Sequence, residues 1–490
     1  MQIKKIDSRI FLVTALFCLA IIWLVVRFYN LQQSYFFMGD AGRDAWVMWK
    51  WQNLGKIPIL GPGVSALPMN VSPIYFYMLY PFYLVSGGNY FYSQITLLVY
   101  CWFFIVVTGW LIIDKKEQHW SYCLLVLLLT FSPQFIIQSR FVWNPSFIIA
   151  PLVTAFYLLK NALKLENKFK IKLVIYLVVS GILVALATSL NMSVIPGAIA
   201  FLVITIILFK RRFLYWFLGL ISGMLFFYLP MILFELKYSF QISKRMMATI
   251  INGGMASIRE PMMIRLEKII DFSVNSLWLG VVILLFLIGF CGYKFIKSKT
   301  TEERKKLIKS NLFLATIGLL ITIFFSLIIP FNIEAHYIFC VLFFMLIGLV
   351  NLPQPINSIS SLLIVFYWIF LLVVSPLDKQ VFRTVAELDI CMNQISKKIN
   401  EPVYVAVQSG VHLLHDGKEF WYGLAKQGVQ VEEIYDGADK ANLLVVINEL
   451  ATFTDGVDKF HELTLFGPAE VIERGECSQD WGWTILKKID

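Results

Sequence analysis

The sequence predicts an α-helical polytopic membrane protein of about eleven transmembrane helices, followed by a small α/β domain at its C-terminal end. Of its 490 residues, 58% are hydrophobic and only 15% are charged, and the mean hydropathy is +0.72. This composition leaves too little polar surface for a soluble protein of this size. The apolar residues form long stretches that stop near residue 377, where a charged, mixed segment begins.

The number of helices comes from the lengths of the apolar stretches. An α-helix needs roughly 20 mostly apolar residues to cross the hydrocarbon core of a bilayer. Lys4, Lys5 and Arg9 precede the first stretch, but no small-x-small cleavage site follows it, so we expect an uncleaved helix. The predicted spans, of which 145–159 and 337–351 are short, lie near residues 9–28, 91–113, 120–137, 145–159, 173–190, 193–209, 213–234, 274–293, 310–330, 337–351 and 357–376.

The distribution of Lys and Arg predicts the orientation in the membrane. With the N-terminus in the cytoplasm, the short cytoplasmic segments hold 20 basic residues and the longer segments on the other side hold 11. Basic residues favour cytoplasmic loops. An odd number of spans then places the C-terminal domain on the extracytoplasmic side of the cell (plasma or inner) membrane.

The chain divides into two predicted domains. A transmembrane domain covers 1–376 and includes a long first outer loop at 29–90, and an extracytoplasmic domain covers 377–490. In the latter, a helical pattern from about Asp378 to Lys398 precedes the strand-like runs "PVYVAVQS", "VQVEEIY" and "NLLVVINE", with a helical "EFWYGLAKQG" between the first two, which is typical of an α/β domain. The two domains carry net charges of +18 and −8, and because the basic residues mostly follow topology, nucleic acid is not an expected partner.

Five of the seven cysteines lie in apolar segments, where cysteine usually acts as a small hydrophobic residue. Cys391 and Cys477 are the pair in the outer domain, where an oxidising compartment would allow a disulfide. Their separation in sequence leaves open whether they pair.

The first outer loop contains "GDAGRDAWVMWKW", which predicts a short helix from about Asp40 to Leu54 with Asp40 as N-cap and Gly55 just past the end. Asp40 and Asp44 are four residues apart and share a face, with Arg43 beside them. An acid pair balanced by arginine can be a purely local network. In a partly dehydrated outer cleft, however, such acids have shifted pKa values and can act as a general base, so Asp40 and Asp44 are candidate catalytic residues.

Further polar and aromatic residues fall at the predicted outer ends of helices. Tyr75 and Tyr77 belong to a proline-broken aromatic stretch, which is either a surface-lying segment or the side of a binding cavity. In "SRFVWNP", Arg140 could reach lipid phosphates or bind a ligand phosphate, with Trp143 and Asn144 next to it.

Two acidic residues also lie near predicted helix ends. Glu235 in "FELKYSF" ends a long apolar helix, and Glu334, His336 and Tyr337 belong to "IEAHY". The candidate residues of a substrate cavity are Tyr75, Tyr77, Trp143, Asn144, Glu235, Glu334 and Tyr337. An acid at that depth is costly unless it is paired or faces a wet cavity. Hard ligands for a divalent cation could come from Asp40 and Asp44 above all, with Glu235, Glu334 and His336, although no spacing matches a dedicated metal motif, so no cofactor is certain.

The motifs "GDAGRDA", "SRFVWNP", "FELKYSF" and "AHY" together resemble those of the GT-C fold membrane glycosyltransferases, in particular the bacterial glycosyltransferase 39 or PMT-like group and its aminoarabinose-transferase relatives. The resemblance spans roughly residues 1–350, and the first motif is its most specific part. It implies an enzyme that moves a hexosyl or pentosyl group, with inversion, from a polyprenyl-phosphate donor in the membrane lipid to an extracytoplasmic acceptor. The acceptor would be a cell-envelope glycan, a lipid or a protein.

The resemblance also implies roles for single residues. Members of the family have a catalytic aspartate in the first outer loop, and Asp40 matches it. The aminoarabinose-transferase loop has the form D-E-x-R-Y-A, so Asp40, Arg43 and Ala45 match, while Ala41 replaces the glutamate and Asp44 the tyrosine. The lysine that those relatives carry before the prolines of "PPLYYW", to meet the donor phosphate, is absent from "MNVSP" here. The candidate phosphate-binding residues are therefore Arg43, Arg140 and His336, in that order.

Three other functions are compatible with a polytopic protein of this kind. A lipid-linked glycan polymerase or ligase would have its largest loop late in the membrane part, whereas here the first loop is long. A transporter or flippase of lipid-linked sugars would place ionisable groups near the bilayer midplane and often has repeated halves, which this sequence lacks. A receptor or assembly scaffold would use the outer domain alone. We therefore favour the glycosyltransferase.

Overall fold

The computed structural model describes residues 8–64, 67–113, 116–165, 170–251, 260–328, 333–375, 381, 383–408, 417–449, 461–478 and 481–489. The chain is mostly helical, with one four-stranded sheet near its end. The helices are α1 (Ser8–Phe28), α2 (Leu31–Ser34), α3 (Asp40–Leu54), α4 (Ile74–Val85), α5 (Tyr92–Ile112), α6 (Lys116–Phe131), α7 (Pro133–Arg140), α8 (Ile149–Lys164), α9 (Lys170–Leu190), α10 (Ile195–Phe209), α11 (Phe213–Lys237), α12 (Gln241–Ile251), α13 (Met262–Val274), α14 (Leu277–Lys297), α15 (Thr301–Ile308), α16 (Asn311–Ile328), α17 (Phe339–Val350), α18 (Ile356–Val374), α19 (Val385–Ser396), α20 (Lys418–Lys426) and α21 (His461–Phe466). The strands are β1 (Gly63–Val64), β2 (Leu67–Asn70), β3 (Val403–Gln408), β4 (Leu443–Asn448), β5 (Ala469–Ser478) and β6 (Trp481–Lys488).

Each predicted apolar stretch contains a helix, and the chain is a multi-pass membrane protein. Among the described residues, eight helical runs are long and apolar enough to cross a membrane, or nine if α6 and α7 form one bent span. One of the eight runs is 46 residues long and contains both α10 and α11, and α17 is apolar but only 12 residues long. The predicted count of about eleven is therefore reached only by counting α10 and α11 separately and including the bent pair and α17.

The chain forms two compact units. The membrane unit contains residues 1–28, 58–79 and 93–376, and the C-terminal unit contains 29–57, 80–92 and 377–490. The sequence groups the whole first loop with the transmembrane domain. In the structure, the part of that loop that contains α3 belongs to the same unit as the last 114 residues, so the two units are interleaved in sequence.

Within the membrane unit, α9 and α11 approach closely because glycines line their contact. A Cβ atom added to Gly181 would lie 2.2 Å from the carbonyl oxygen of Trp216, and one added to Gly219 would lie 2.2 Å from that of Val178. Small residues allow membrane helices to pack backbone against backbone, where lipid provides little hydrophobic drive for association.

The break between α6 and α7 has a clear cause. Pro133 cannot donate a backbone hydrogen bond, so α6 ends there and the chain turns by 58°. The buried Arg27 of α1 donates to the carbonyl oxygens of Leu129 and Thr130, at 3.1 and 2.9 Å, and its guanidinium stacks on Trp23. The carbonyl groups at the end of α6 thus have a cation as their partner, which suits the negative end of a helix dipole.

The C-terminal unit contains the α/β domain that the sequence predicts, with a four-stranded sheet in the order β3-β4-β6-β5. β3 and β4 are parallel and flank α20 in sequence, while β6 is antiparallel to both β4 and β5. Within the described part of the chain, the run "VQVEEIY", predicted as a strand, forms a single bridge, between Val403 and Val431, and then a 3-10 turn at Ile434–Asp436. The predicted helix from Asp378 is observed from Val385 onward, and residues 376–380 and 382 lie outside the described part of the chain.

Two features stabilise this unit besides its apolar core. Cys391 of α19 and Cys477 of β5 are joined by a disulfide, the pair that the sequence left open. Arg383 is buried against the rings of Phe420 and Trp481 and forms two ion pairs, with Glu419 at 2.8 Å and with Glu449 at 2.9 Å. A buried arginine needs such partners because an unpaired buried charge is very costly.

Candidate active site

The predicted catalytic helix is α3, which belongs to the C-terminal unit. It begins at Asp40, as expected, but its N-cap is Gly39, with a φ of 53°, and no side chain caps it. The predicted N-cap role of Asp40 is therefore wrong, because the Asp40 carboxylate instead accepts a hydrogen bond from Arg43. The helix ends, as predicted, at Gly55 in the left-handed conformation, with a φ of 65°.

The structure brings Asp40, Arg43 and Asp44 together in one network. Arg43 donates from Nη1 to Oδ1 of Asp40, and from Nε and Nη2 to Oδ1 of Asp44 at 2.9 and 2.7 Å. The side chain of Asp44 is 3% exposed, that of Arg43 is 19% exposed and that of Asp40 is 32% exposed. The network carries one net negative charge, and of its two carboxylates only Asp40 is accessible to a substrate.

The remainder of α3 is held by residues of the α/β domain, within the same unit. Trp46 donates from Nε1 to Glu433 at 3.1 Å, and Lys50 donates to the same carboxylate oxygen at 2.6 Å. The Trp46 ring stacks on Trp49, with ring centres 5.1 Å apart, and meets the edge of Trp421. These contacts show that Trp46 anchors the helix to the surface of the α/β domain. Trp51 stacks on Tyr80 of the same unit.

Glu433 is ionised more readily than an ordinary glutamate. Burial alone would raise its pKa, but hydrogen bonds from Lys50 and Trp46 and the charge of Lys50 outweigh burial and hold the pKa below its ordinary value. The ion pair is therefore fully formed at neutral pH.

The candidates Arg140, Trp143 and Asn144 lie in the membrane unit. Arg140, at the end of α7, is buried and donates to the carbonyl oxygens of Arg27 and Val26, at 3.2 and 3.5 Å. Trp143 donates from its indole to Gln138, and Asn144 donates to the carbonyl oxygen of Leu190 at 2.7 Å. Arg140 and Asn144 thus connect distant segments of the membrane unit, whereas the hydrogen bond of Trp143 is local.

Tyr75, Tyr77 and Glu235 are also in the membrane unit. Tyr75 is fully buried against the edge of Phe147, and Tyr77 donates to the carbonyl oxygen of Pro58 at 2.8 Å. Glu235 accepts from the backbone N–H groups of Ile242 and Ser243, each at 2.9 Å, and from the Ser243 hydroxyl. Its carboxylate therefore caps the N-terminus of α12, which accounts for an acid at the end of an apolar helix.

The "IEAHY" segment forms a 3-10 turn, Ala335–Ile338, before α17. Glu334 is exposed, and the backbone N–H of Tyr337 donates to its carbonyl oxygen at 2.9 Å. The side chain of His336 lies outside the described part of the structure.

Two kinds of functional residue were not predicted. Glu433 and Trp421 fix α3, but they lie far from it in sequence, so no local pattern marks them. Arg265 of α13 is fully buried and donates to the carbonyl oxygen of Ser326, in the last turn of α16, at 2.8 Å. An arginine at the end of an apolar segment is a signal that could have identified Arg27. Arg265 shares α13 with Glu267, Lys268 and Asp271, so no comparable signal marks it.

A metal site would need a cluster of ligands. Among the residues that the structure describes, no group of three or more His, Cys, Asp or Glu side chains is placed to hold a metal ion. Asp40 and Asp44 share Arg43 as their described cation.

Among solved structures, the chain is similar to ArnT from Cupriavidus metallidurans bound to undecaprenyl phosphate, with a TM-score of 0.59 and 13% identity over 97% of this chain and 97% of that one. ArnT from the same organism in the apo state matches with the same TM-score and coverage and 12% identity. No protein-family model matches the sequence, and no curated protein is significantly similar to it. The likeness confirms the GT-C fold that the sequence resemblance led us to expect, and at this level of identity it shows the fold alone.

Proposed function

We propose that this GT-C protein is a membrane glycosyltransferase that moves a sugar from a polyprenyl-phosphate carrier to an acceptor outside the cytoplasm. The observation that carries the proposal is the network at the start of α3, where an accessible carboxylate, Asp40, lies beside Arg43 and the buried Asp44. A protein of the same fold, ArnT, has been crystallised with undecaprenyl phosphate, which supports a polyprenyl-linked donor.

The reaction needs a base and a way to stabilise the departing phosphate. Asp40 takes the proton of the acceptor hydroxyl, whose oxygen attacks the anomeric carbon as the bond from that carbon to the phosphate oxygen breaks. The electron pair of the broken bond leaves with the polyprenyl phosphate, and the configuration at the anomeric carbon is inverted. A positioned base typically contributes 10²–10⁴-fold to such a rate.

Asp44 and Arg43 support the base in different ways. Asp44 is buried and holds Arg43 through two hydrogen bonds, so the guanidinium is fixed beside Asp40. In this position Arg43 orients the Asp40 carboxylate and offers positive charge to the leaving phosphate. Arg140 is a weaker phosphate candidate, since its described hydrogen bonds go to backbone carbonyls. His336 remains a candidate for binding the donor phosphate on the basis of the sequence alone.

The remaining parts of the proposal follow from topology and resemblance. The protein lies in the cell membrane with its N-terminus in the cytoplasm and residues 377–490 outside, because the basic residues favour that orientation. The transferred group is a hexose or pentose, and the acceptor is a glycan, a lipid or a protein of the cell envelope. If a divalent cation assists the reaction, Asp40 and Asp44 are its candidate ligands.

The experiment that tests the function compares cells with and without the gene. Surface glycans, glycolipids and glycoproteins are analysed by mass spectrometry, and the expected result is the loss of one sugar from one class of acceptor. The purified protein is then given membrane lipid extract from the deletion strain, and the freed polyprenyl phosphate is measured. Unchanged glycans together with no release of polyprenyl phosphate would rule out the proposal.

A further inference from the structure

The helix that carries the proposed catalytic residues is attached to the α/β domain at two separate points. The first is Glu433, whose Oε1 receives both the indole N–H of Trp46 and the ammonium group of Lys50. Trp46 and Lys50 are four residues apart and lie on one face of α3. A single carboxylate therefore binds two side chains from consecutive turns of the helix. The Lys50 ammonium also lies 5.5 Å from the centre of the Trp46 ring, which ties the two donors to each other.

The second point of attachment is Gly42, which lies between Asp40 and Asp44 in sequence. A Cβ atom there would be 2.6 Å from the backbone nitrogen of Glu419 and 2.8 Å from its Cβ atom. Only glycine allows this approach to the start of α20. Glu419 is itself fixed by its ion pair with the buried Arg383, so the surface on which Gly42 rests is rigid.

The two attachments restrict both the tilt and the rotation of α3. Gly42 lies four residues before Trp46 and eight before Lys50, so the attachments extend over about 12 Å of the helix axis at 1.5 Å per residue. Asp40 and Asp44 lie on either side of Gly42, so their positions depend on both attachments. A displacement of about 1 Å at a reacting group can cost about 10²-fold in rate.

We infer that Glu433 is a positioning residue: by holding Trp46 and Lys50 it sets where Asp40 and Asp44 stand, and the α/β domain thereby completes the active site rather than only covering it. The link to catalysis rests on the proposed transferase function, whereas the link to the position of α3 does not. Glu433 touches neither aspartate in the described structure; it acts through the helix.

The test measures the helix directly. Amide hydrogen exchange of residues 40–54 is followed in the full-length protein in nanodiscs, for the wild type and for Glu433→Gln and Glu433→Ala. Loss of a hydrogen bond to a charged group should speed exchange in α3 about tenfold in Glu433→Ala. The matched control is Glu432→Ala, the neighbouring acid, whose side chain accepts from Gln430 at 2.8 Å and should leave α3 unchanged.

Exchanging the charges of Lys50 and Glu433 distinguishes a positioning role of this ion pair from a general loss of stability. Lys50→Glu or Glu433→Lys alone should loosen α3 and lower transfer in cells about tenfold or more, and the double variant, which restores an ion pair, should recover much of both. Rescue of this kind is not expected from a merely structural loss of packing. In Glu433→Gln, which keeps the size of the side chain and a partner for Trp46, exchange should rise less than in Glu433→Ala.

The outcomes are distinct. If exchange in α3 is the same in Glu433→Ala and the wild type, or rises equally in α19 and α20, the inference is overturned. If α3 loosens and the reversed pair restores it, the inference stands. A wild-type protein that shows no transfer would defeat the proposed function while leaving the exchange result intact, so the two failures cannot be confused.

Discussion

Two clusters in the C-terminal unit have the same composition and different surroundings. Each consists of one arginine between two carboxylates, with one net negative charge. The cluster of Arg43 is partly open, since Asp40 is 32% exposed. In the cluster of Arg383 each of the three side chains is at most 2% exposed, and the guanidinium lies against two aromatic rings.

The comparison shows that exposure, more than charge, decides what such a cluster can do. The members of a buried cluster cannot exchange partners without leaving a charge unsolvated, so it holds one arrangement. In the open cluster, water or a substrate hydroxyl can take a place beside Asp40 at small cost, because exposed ion pairs contribute only about 0.2–1 kcal/mol. Reactivity is therefore expected at Arg43 and rigidity at Arg383.

The largest effect should follow from removing the accessible carboxylate. Asp40→Asn keeps the shape of the side chain but cannot accept a proton, so turnover should fall by about 10²–10⁴-fold. The thermal midpoint should stay close to that of the wild type. Initial rates of polyprenyl phosphate release and differential scanning fluorimetry give the two numbers. Glu302→Gln is the control, an exposed acid paired with Lys305, and normal turnover in Asp40→Asn would exclude Asp40 as the base.

Removing the arginine of the buried cluster should act on stability. Arg383→Met leaves Glu419 and Glu449 buried without their cation, which should lower the free energy of unfolding by about 3–5 kcal/mol. Chemical denaturation followed by tryptophan fluorescence measures the change. The triple variant with Glu419→Gln and Glu449→Gln removes the charges as well and should recover most of the loss. A change below about 1 kcal/mol in Arg383→Met would mean that burial does not distinguish the two clusters.

The contact between Gly42 and Glu419 links the cluster of Arg43 to the cluster of Arg383, and a substitution there should have a smaller effect than the two above. Gly42→Ala places a methyl group 2.6 Å from a backbone nitrogen, so α3 must shift, at a cost of about 1–3 kcal/mol. We expect turnover to fall together with the thermal midpoint. Gly289→Ala is the control, since that helical glycine faces open space. Equal effects of the two substitutions would show that the approach of Gly42 to Glu419 has no energetic consequence.

The smallest effect concerns the pH dependence of the Glu433 attachment. Because its pKa is lower in the folded protein than its ordinary value of 4.5, its contribution to stability is complete above that value. The contribution is lost as the pH falls through the lowered pKa. Thermal midpoints recorded from about pH 6 to pH 3 should therefore drop less steeply in Glu433→Gln than in the wild type. Parallel curves would show that this carboxylate is not stabilised by folding.

The sequence predicts most of the membrane unit because hydrophobic length is a local property. The same is true of α3, whose start and whose end at Gly55 follow from the residues nearby. The prediction is wrong for the N-cap because Arg43, three residues on, competes for the Asp40 carboxylate. A strand was also expected around Val431, yet that segment has only one bridging neighbour, and strands form only where a partner runs alongside.

What the sequence could not predict depends on contacts between distant residues. Nothing near Trp46 or Lys50 indicates that Glu433 will be their acceptor. The role of Glu235 was uncertain for the same reason, since its depth in an apolar helix is visible in the sequence but the amides of α12 that it caps are not. The candidate catalytic residues could be found by motif, whereas the residues that hold them could not.

Because the two units are interleaved in sequence, α3 is synthesised long before the residues of the α/β domain that contact it. Trp46 and Glu433 are 387 residues apart, and a ribosome adding about 5–20 residues per second needs roughly 20–80 s to cover that distance. During this interval α3 is already synthesised, but Trp46 lacks its contacts with Trp421 and Glu433, while most of the membrane helices are still being inserted. A chain that stops before α20 contains neither of these two partners, so cells should treat it as a substrate for chaperones and proteases.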